Sequence, residues 1–175
     1  MPMTDHATIL VVDDNPTILT AARYCLESTF ARILTLQRPD EMLPLLQQET
    51  VDLILLDMNF SLGVNTGREG LMWLQAIRKR HPNVPVVLLT AYADVELAVK
   101  GLKEGAADFV TKPWDNNDLL HKLRDAMESH NEVERLDEME ATHIRRAIDR
   151  CHGNLSRAAA MLGITRQTLY NKMKR

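Results

Sequence analysis

Five polar residues stand where apolar runs stop. TILVV stops at Asp13 and Asp14, DLILL at Asp57, VPVVLL at Thr90, and ADFVT at Lys112. Three acids, one hydroxyl and one amine at such places have a definite chemistry. Neighbouring carboxylates repel one another unless a cation sits among them. All-oxygen ligation selects a hard ion, and few protein ligands plus waters suit Mg2+ better than calcium. Beside such an ion, Asp57 could attack a phosphoryl group as a carboxylate nucleophile. Lys112 and the ion would neutralise the transferring oxygens, and Thr90 would hydrogen-bond one of them.

Competing chemistries fit these residues poorly. A flavin phosphate loop is rich in Gly, Ser and Thr, and Asp13 and Asp14 would repel its ligand. An aspartyl phosphatase of the haloacid-dehalogenase type needs a second acid two residues after its nucleophile, where this chain has Asn59. The glycines of GVNTGREG are not followed by Gly-Lys-Ser/Thr, so they form no P-loop.

The elements that must position these groups follow from the pattern. Continuous rather than alternating apolar strands belong to a parallel sheet covered on both faces. Helical spacing fills the intervals over Thr17–Thr29, Asp40–Gln48, Glu69–Arg80, Val95–Glu104 and Asn117–His130. Strand then helix, five times over, is a doubly wound α/β domain. Ligands of such sheets bind beyond the carboxyl ends of the strands, where the five polar residues fall.

The totals divide the chain. Its 175 residues suit one ordinary domain and a small one. Residues 143 to 175 carry +7, leaving −10 on the rest of a chain whose net charge is −3. An acidic body with a basic tail points the tail toward a polyanion. No apolar run approaches the ~20 residues of a membrane span, and the start carries acid where a signal peptide needs Lys or Arg. Two cysteines make no disulfide framework, so a reducing cytoplasm is expected.

Residues 128 to 138 read as a charged helical linker. Residues 139 to 175 then read as three short helices. The first is stopped by Gly153, the second is capped by Asn154, and the third is capped by Thr165 after the turn Leu162-Gly163-Ile164. The last two make a helix-turn-helix, whose final helix enters the DNA major groove. Its outward residues are expected to be Arg166, Gln167, Tyr170, Asn171 and Lys174, with Leu169 and Met173 packed inward. Arg166 is placed to reach a base edge, while Thr165, Thr168 and Lys172 suit phosphate contacts.

ILVVDDN, LILLDMN, VVLLTAY and FVTKPWD together resemble the bacterial response-regulator receiver domain. The resemblance implies a five-stranded sheet of order 2-1-3-4-5 over residues 1–127. It also implies that Asp57 is the phosphoacceptor and Asp14 a direct Mg2+ ligand, with Asp13 acting through water and the Asn59 carbonyl completing the site. Thr90 and Phe109 match the family's switch pair, and a cis peptide is implied at Lys112-Pro113. The loop over 58–70 is about five residues longer than the family's common form. GNLSRAAAMLGITRQTLYNKMKR is similar to the Fis-type DNA-binding domain of sigma-54 activators. That likeness implies a homodimer on a near-palindromic double-stranded site, with Ile144 and Ile148 lining the dimer contact. Asn171 departs from the Lys or Arg often found at its position.

Such activators carry an ATPase between the two modules. This chain has no P-loop and no room for that domain, so ATP hydrolysis is not expected. It is either a naturally short regulator or one from which the ATPase was cut. The resulting expectation is a transcriptional regulator phosphorylated on Asp57 by a sensor histidine kinase. The rival is a receiver-based interaction module or phosphoryl sink whose basic tail docks a protein.

Overall fold

Odd and even positions along each central strand face opposite layers, which is why the strands are apolar throughout. The computed structural model describes residues 6–60, 68–91 and 94–174. Five strands, β1 (Thr8–Val12), β2 (Arg32–Leu36), β3 (Leu53–Asp57), β4 (Val86–Ala91) and β5 (Asp108–Lys112), form one sheet. Its order is β2-β1-β3-β4-β5, and every pairing is parallel. Helices α1 (Pro16–Leu26), α2 (Met42–Gln48), α3 (Arg68–Arg80) and α4 (Val95–Lys103) connect the strands, and α5 (Asn116–Arg150) follows β5. The expected doubly wound sheet is therefore present.

Ile9, Val11, Leu53, Leu55, Val87, Leu89 and Val110 face a layer built from α1 and the first part of α5. Leu10, Val12, Ile54, Leu56, Val86 and Leu88 face α2, α3 and α4. A strand buried on both sides has no polar face to present, so alternation disappears. Fully burying one such Leu or Ile contributes about 1.5–3 kcal/mol, and β3 is buried at all five positions.

The chain divides into two compact units, Met1–Glu128 and Ser129–Arg175. The second contains the end of α5 together with α6 (Leu155–Leu162) and α7 (Arg166–Met173). Ile144, Ala147, Cys151, Ala158, Ala159 and Leu169 form its small core. The first of the three expected short helices is thus the end of a 35-residue helix. Residues 128–140 hold no Gly or Pro to interrupt it.

The expected caps are present. Asn154 accepts from the Arg157 N–H at 3.1 Å, and Thr165 Oγ1 accepts from the Thr168 N–H at 3.1 Å. Gly163 closes α6 at φ 68, in the left-handed region that glycine enters without strain. Among the described residues, no helix is long and apolar enough to cross a membrane.

Candidate functional site

Strand register assembles the acid pocket. Val12 pairs with Leu56, so Asp13 and Asp57 follow side by side at the carboxyl edge. Ala91 pairs with Lys112, and Thr90 with Thr111, which brings β5 to the same edge. The Lys112 ammonium donates to Asp57 Oδ1 at 2.8 Å and to Asp13 Oδ2 at 3.0 Å. Carboxylate oxygens of Asp13, Asp14 and Asp57 all lie within 4.8 Å of one another. The peptide between Lys112 and Pro113 is cis.

The pocket is dry at its base and wetter at its rim. Asp13 and Thr90 are wholly buried and Asp57 is 3% exposed, whereas Asp14 is partly exposed. Burial pushes the Asp57 carboxyl up to about 6; Asp13 adds to the rise, while Lys112 and the Met58 N–H oppose it. Asp14 is also raised, by burial first, then by Asp13, with Glu69 adding repulsion. Burial works against the Lys112 charge, yet its contacts with Asp57 and Asp13 outweigh that and raise its pKa. A cluster of acids that cannot all ionise comfortably, built only from oxygens, is the donor set a hard divalent ion requires. The residues present fit such an ion.

Asp57 Oδ1 accepts from both Lys112 and the Met58 N–H. Among the described residues, nothing takes Oδ2. The Thr90 hydroxyl meanwhile donates to the Ala91 carbonyl at 3.2 Å. Phe109 pairs with Leu88 and so shares a sheet face with Leu88 and Thr90. It is half-buried against that layer, with the Lys122 ammonium 5.2 Å from its ring centre. The Asn59 amide donates to Asp94 at 3.2 Å, linking the end of β3 to the start of α4.

Gly70 is not among the expected site residues, yet it shapes the pocket. Its N–H donates to the Met58 carbonyl at 3.1 Å. A Cβ there would lie 2.5 Å from Met58 Cα and 3.0 Å from the Asp57 carbonyl oxygen. Only glycine lets α3 approach the backbone beside Asp57 so closely. Its place in a glycine-bearing loop is the available signal, but the approach itself is a tertiary fact. Gly63 and Gly67 of the long loop lie outside the described residues. Cys25 is half-buried and sits with Trp114 and Pro113 at the rim of a groove of about 430 Å³.

In the C-terminal unit, Arg166, Gln167, Tyr170, Asn171 and Lys174 are all exposed on α7. Gln167 donates to Asn171 at 3.1 Å, and the Lys174 ammonium lies 4.6 Å from the Tyr170 ring centre. Thr165 is engaged in its cap with Thr168, and Lys172 is paired to Glu140 at 2.5 Å. Leu169 is fully buried as expected, but Met173 is 50% exposed. Met173 is the last residue of α7 and lies outside the small core that Leu169 enters. Ile144 is buried in that core, and Ile148 is half-buried against it.

Residues 9–124 match the response regulator receiver domain. The chain belongs to the response regulator family. Residues 135–175 of this regulator match the Fis family of bacterial regulatory proteins. A receiver joined to a Fis-type helix-turn-helix is the architecture of a two-component transcription regulator. The chain is 37% identical over 126 residues to the response regulator protein PilR of Pseudomonas aeruginosa, covering 70% of this chain and 26% of that protein. It is 33% identical over 159 residues to the alginate biosynthesis transcriptional regulatory protein AlgB of the same organism, covering 91% and 34%. The regulator thus spans 23% to 34% of the length of curated relatives it matches. A signal receiver domain from Bacteroides fragilis superposes with TM-score 0.64 at 47% identity, covering 70% of this chain and 98% of that one.

Proposed function

We propose that this regulator accepts a phosphoryl group on Asp57 from a sensor histidine kinase and binds double-stranded DNA through α7. The observation that carries the reading is the Lys112 ammonium held between Asp57 and Asp13, with Asp14 beside them. Asp57 Oδ2 attacks the phosphorus in line, the bond to the donor imidazole breaks, and that imidazole leaves with the electron pair. Lys112 compensates charge on the transferring oxygens, and the Thr90 hydroxyl turns from Ala91 to one of them. Asp13, Asp14, Asp57 and the Asn59 carbonyl would hold Mg2+, which supplies further charge neutralisation when bound. Phe109 shares the Thr90 face and serves as the aromatic member of the switch. Phosphorylation shifts a pre-existing equilibrium of the α4–β5–α5 face.

In this reading residues 1–127 are the receiver, 128–138 the linker and 139–175 the DNA-binding domain. Arg166, Gln167, Tyr170, Asn171 and Lys174 read the groove, and Thr165 and Thr168 lie near phosphates. The regulator acts as a homodimer on a near-palindromic site in the cytoplasm, where both kinase phosphohistidine and genomic DNA are found. Acetyl phosphate with Mg2+ tests the first step: intact-protein mass should rise by one phosphoryl group in the wild type and not in Asp57→Ala. Equal labelling of both would falsify the assignment. Arg166→Ala tests the second, with an expected cost of ~1–3 kcal/mol on a selected site and relaxed sequence preference.

A further inference from the structure

The cations of α7 are unequally available. Arg166 is exposed and has no hydrogen bond or ion pair among the described residues. Lys174 lies against the Tyr170 ring on that same outer face. At roughly 3.6 residues per turn, Arg166, Tyr170 and Lys174 form one stripe, while Lys172 falls on the other side of the helix. There it meets Glu140, ten residues before the end of α5, nitrogen to oxygen at 2.5 Å, with the two side chains 31% and 50% exposed. Glu140 ends an acidic stretch containing Glu132, Glu134, Asp137 and Glu138 against the single cation Arg135.

We propose that Glu140 is a specificity-determining residue for DNA, acting through Lys172; this rests on the DNA-binding reading above. An ammonium paired to an internal carboxylate releases no counterion from the duplex, because its charge is already compensated. Sequence-independent affinity grows with each phosphate neutralised, whereas base contacts set sequence preference. By holding Lys172, Glu140 lowers the sequence-independent part and leaves the Arg166 face to decide the site. An exposed ion pair of this kind adds little to stability, so its consequence lies in binding.

The test uses the full chain, a random-sequence duplex and a duplex selected from genomic fragments, titrated across a range of salt concentrations. Glu140→Gln should bind the random duplex severalfold more tightly, with a log–log salt slope steeper by ~0.9. Lys172→Gln alone should leave random-duplex binding at the wild-type level, and the double variant should return to it. Thermal midpoints should move little, and Glu140→Asp should behave as wild type. An unchanged slope in Glu140→Gln overturns the proposal and leaves the pair structural. So does weaker random-duplex binding by Lys172→Gln, which would mean Lys172 already meets phosphate. A gain that persists in the double variant overturns it too, assigning the effect to long-range charge. If no variant binds either duplex at low salt, the DNA reading falls and the proposal with it.

Discussion

The acid pocket and the face of α7 solve opposite problems. In the pocket, the groups proposed to react are buried: Asp13 and Thr90 completely, Asp57 nearly so. On α7, the groups proposed to recognise are exposed, and only Leu169 is buried. A carboxylate is made reactive by withdrawing water and fixing its neighbours, which needs a sheet with layers on both faces. A reading helix needs its side chains in solvent and only enough core to stay folded. The same chain thus uses a large core to perturb chemistry and a small one to present it.

Substitutions can collapse this contrast or make it starker. Leu169→Ala removes the one fully buried side chain that α7 gives to a core of six buried residues. Such truncations cost about 2–5 kcal/mol, and a core of this size has little reserve. The C-terminal unit should lose its protection from proteolysis while acetyl phosphate still labels Asp57. A loss of both together would mean the units do not fold independently.

Gly70→Ala is the matching insult to the receiver. Backbone must shift to relieve a 2.5 Å contact with Met58 Cα, costing about 3 kcal/mol. The receiver's melting midpoint should fall and Asp57 labelling should slow, while the C-terminal unit is untouched.

The pH dependence of the pocket gives the next largest effect. Asp57 is raised from 3.8 to about 6, so the folded state favours its protonated form. Stability from that proton is fully present below pH 3.8 and lost as pH rises through about 6. Asp57→Asn removes the loss, and at pH 7.5 without divalent ions it should be more stable than wild type. Each tenfold change in proton affinity is equivalent to ~1.4 kcal/mol. A gain of about 2 kcal/mol is therefore expected, after allowance for the partner that Lys112 loses. Below pH 4 the difference should vanish. Equal stability of the two proteins at every pH would mean that burial imposes no cost on the Asp57 charge.

Gly163→Ala is the mildest of these changes, because nothing lies within 4 Å of its added Cβ and only φ 68 is strained. About 1 kcal/mol is expected from a single residue forced into that region, read from the melting of the C-terminal unit. A drop in the receiver's midpoint as well would show that the two units share their stability.

Much of the fold is legible along the chain because it depends on neighbours in sequence. Runs such as DLILL are apolar at every position since both their faces are covered, and polar residues end them because the sheet edge is wet. Asn154 and Thr165 announce their caps for the same local reason. Met173 departs from its expected place because helical spacing marks which side faces a core but not how far that core extends. Ile144 and Ile148, which the Fis-type likeness assigns to a dimer contact, also pack in the small core of their own unit, because an apolar helix face carries no label of what covers it.

Local sequence accounts for the elements, their ends and the residue types delivered to those ends. Which of these residues meet is settled only in three dimensions. The lysine that bridges Asp57 and Asp13 comes from 55 and 99 residues away, Gly70 presses on Met58 across a loop, and Lys172 finds Glu140 from another helix. Contacts of that range depend on register and packing density, quantities set by the whole assembly of layers rather than by any run of residues within it.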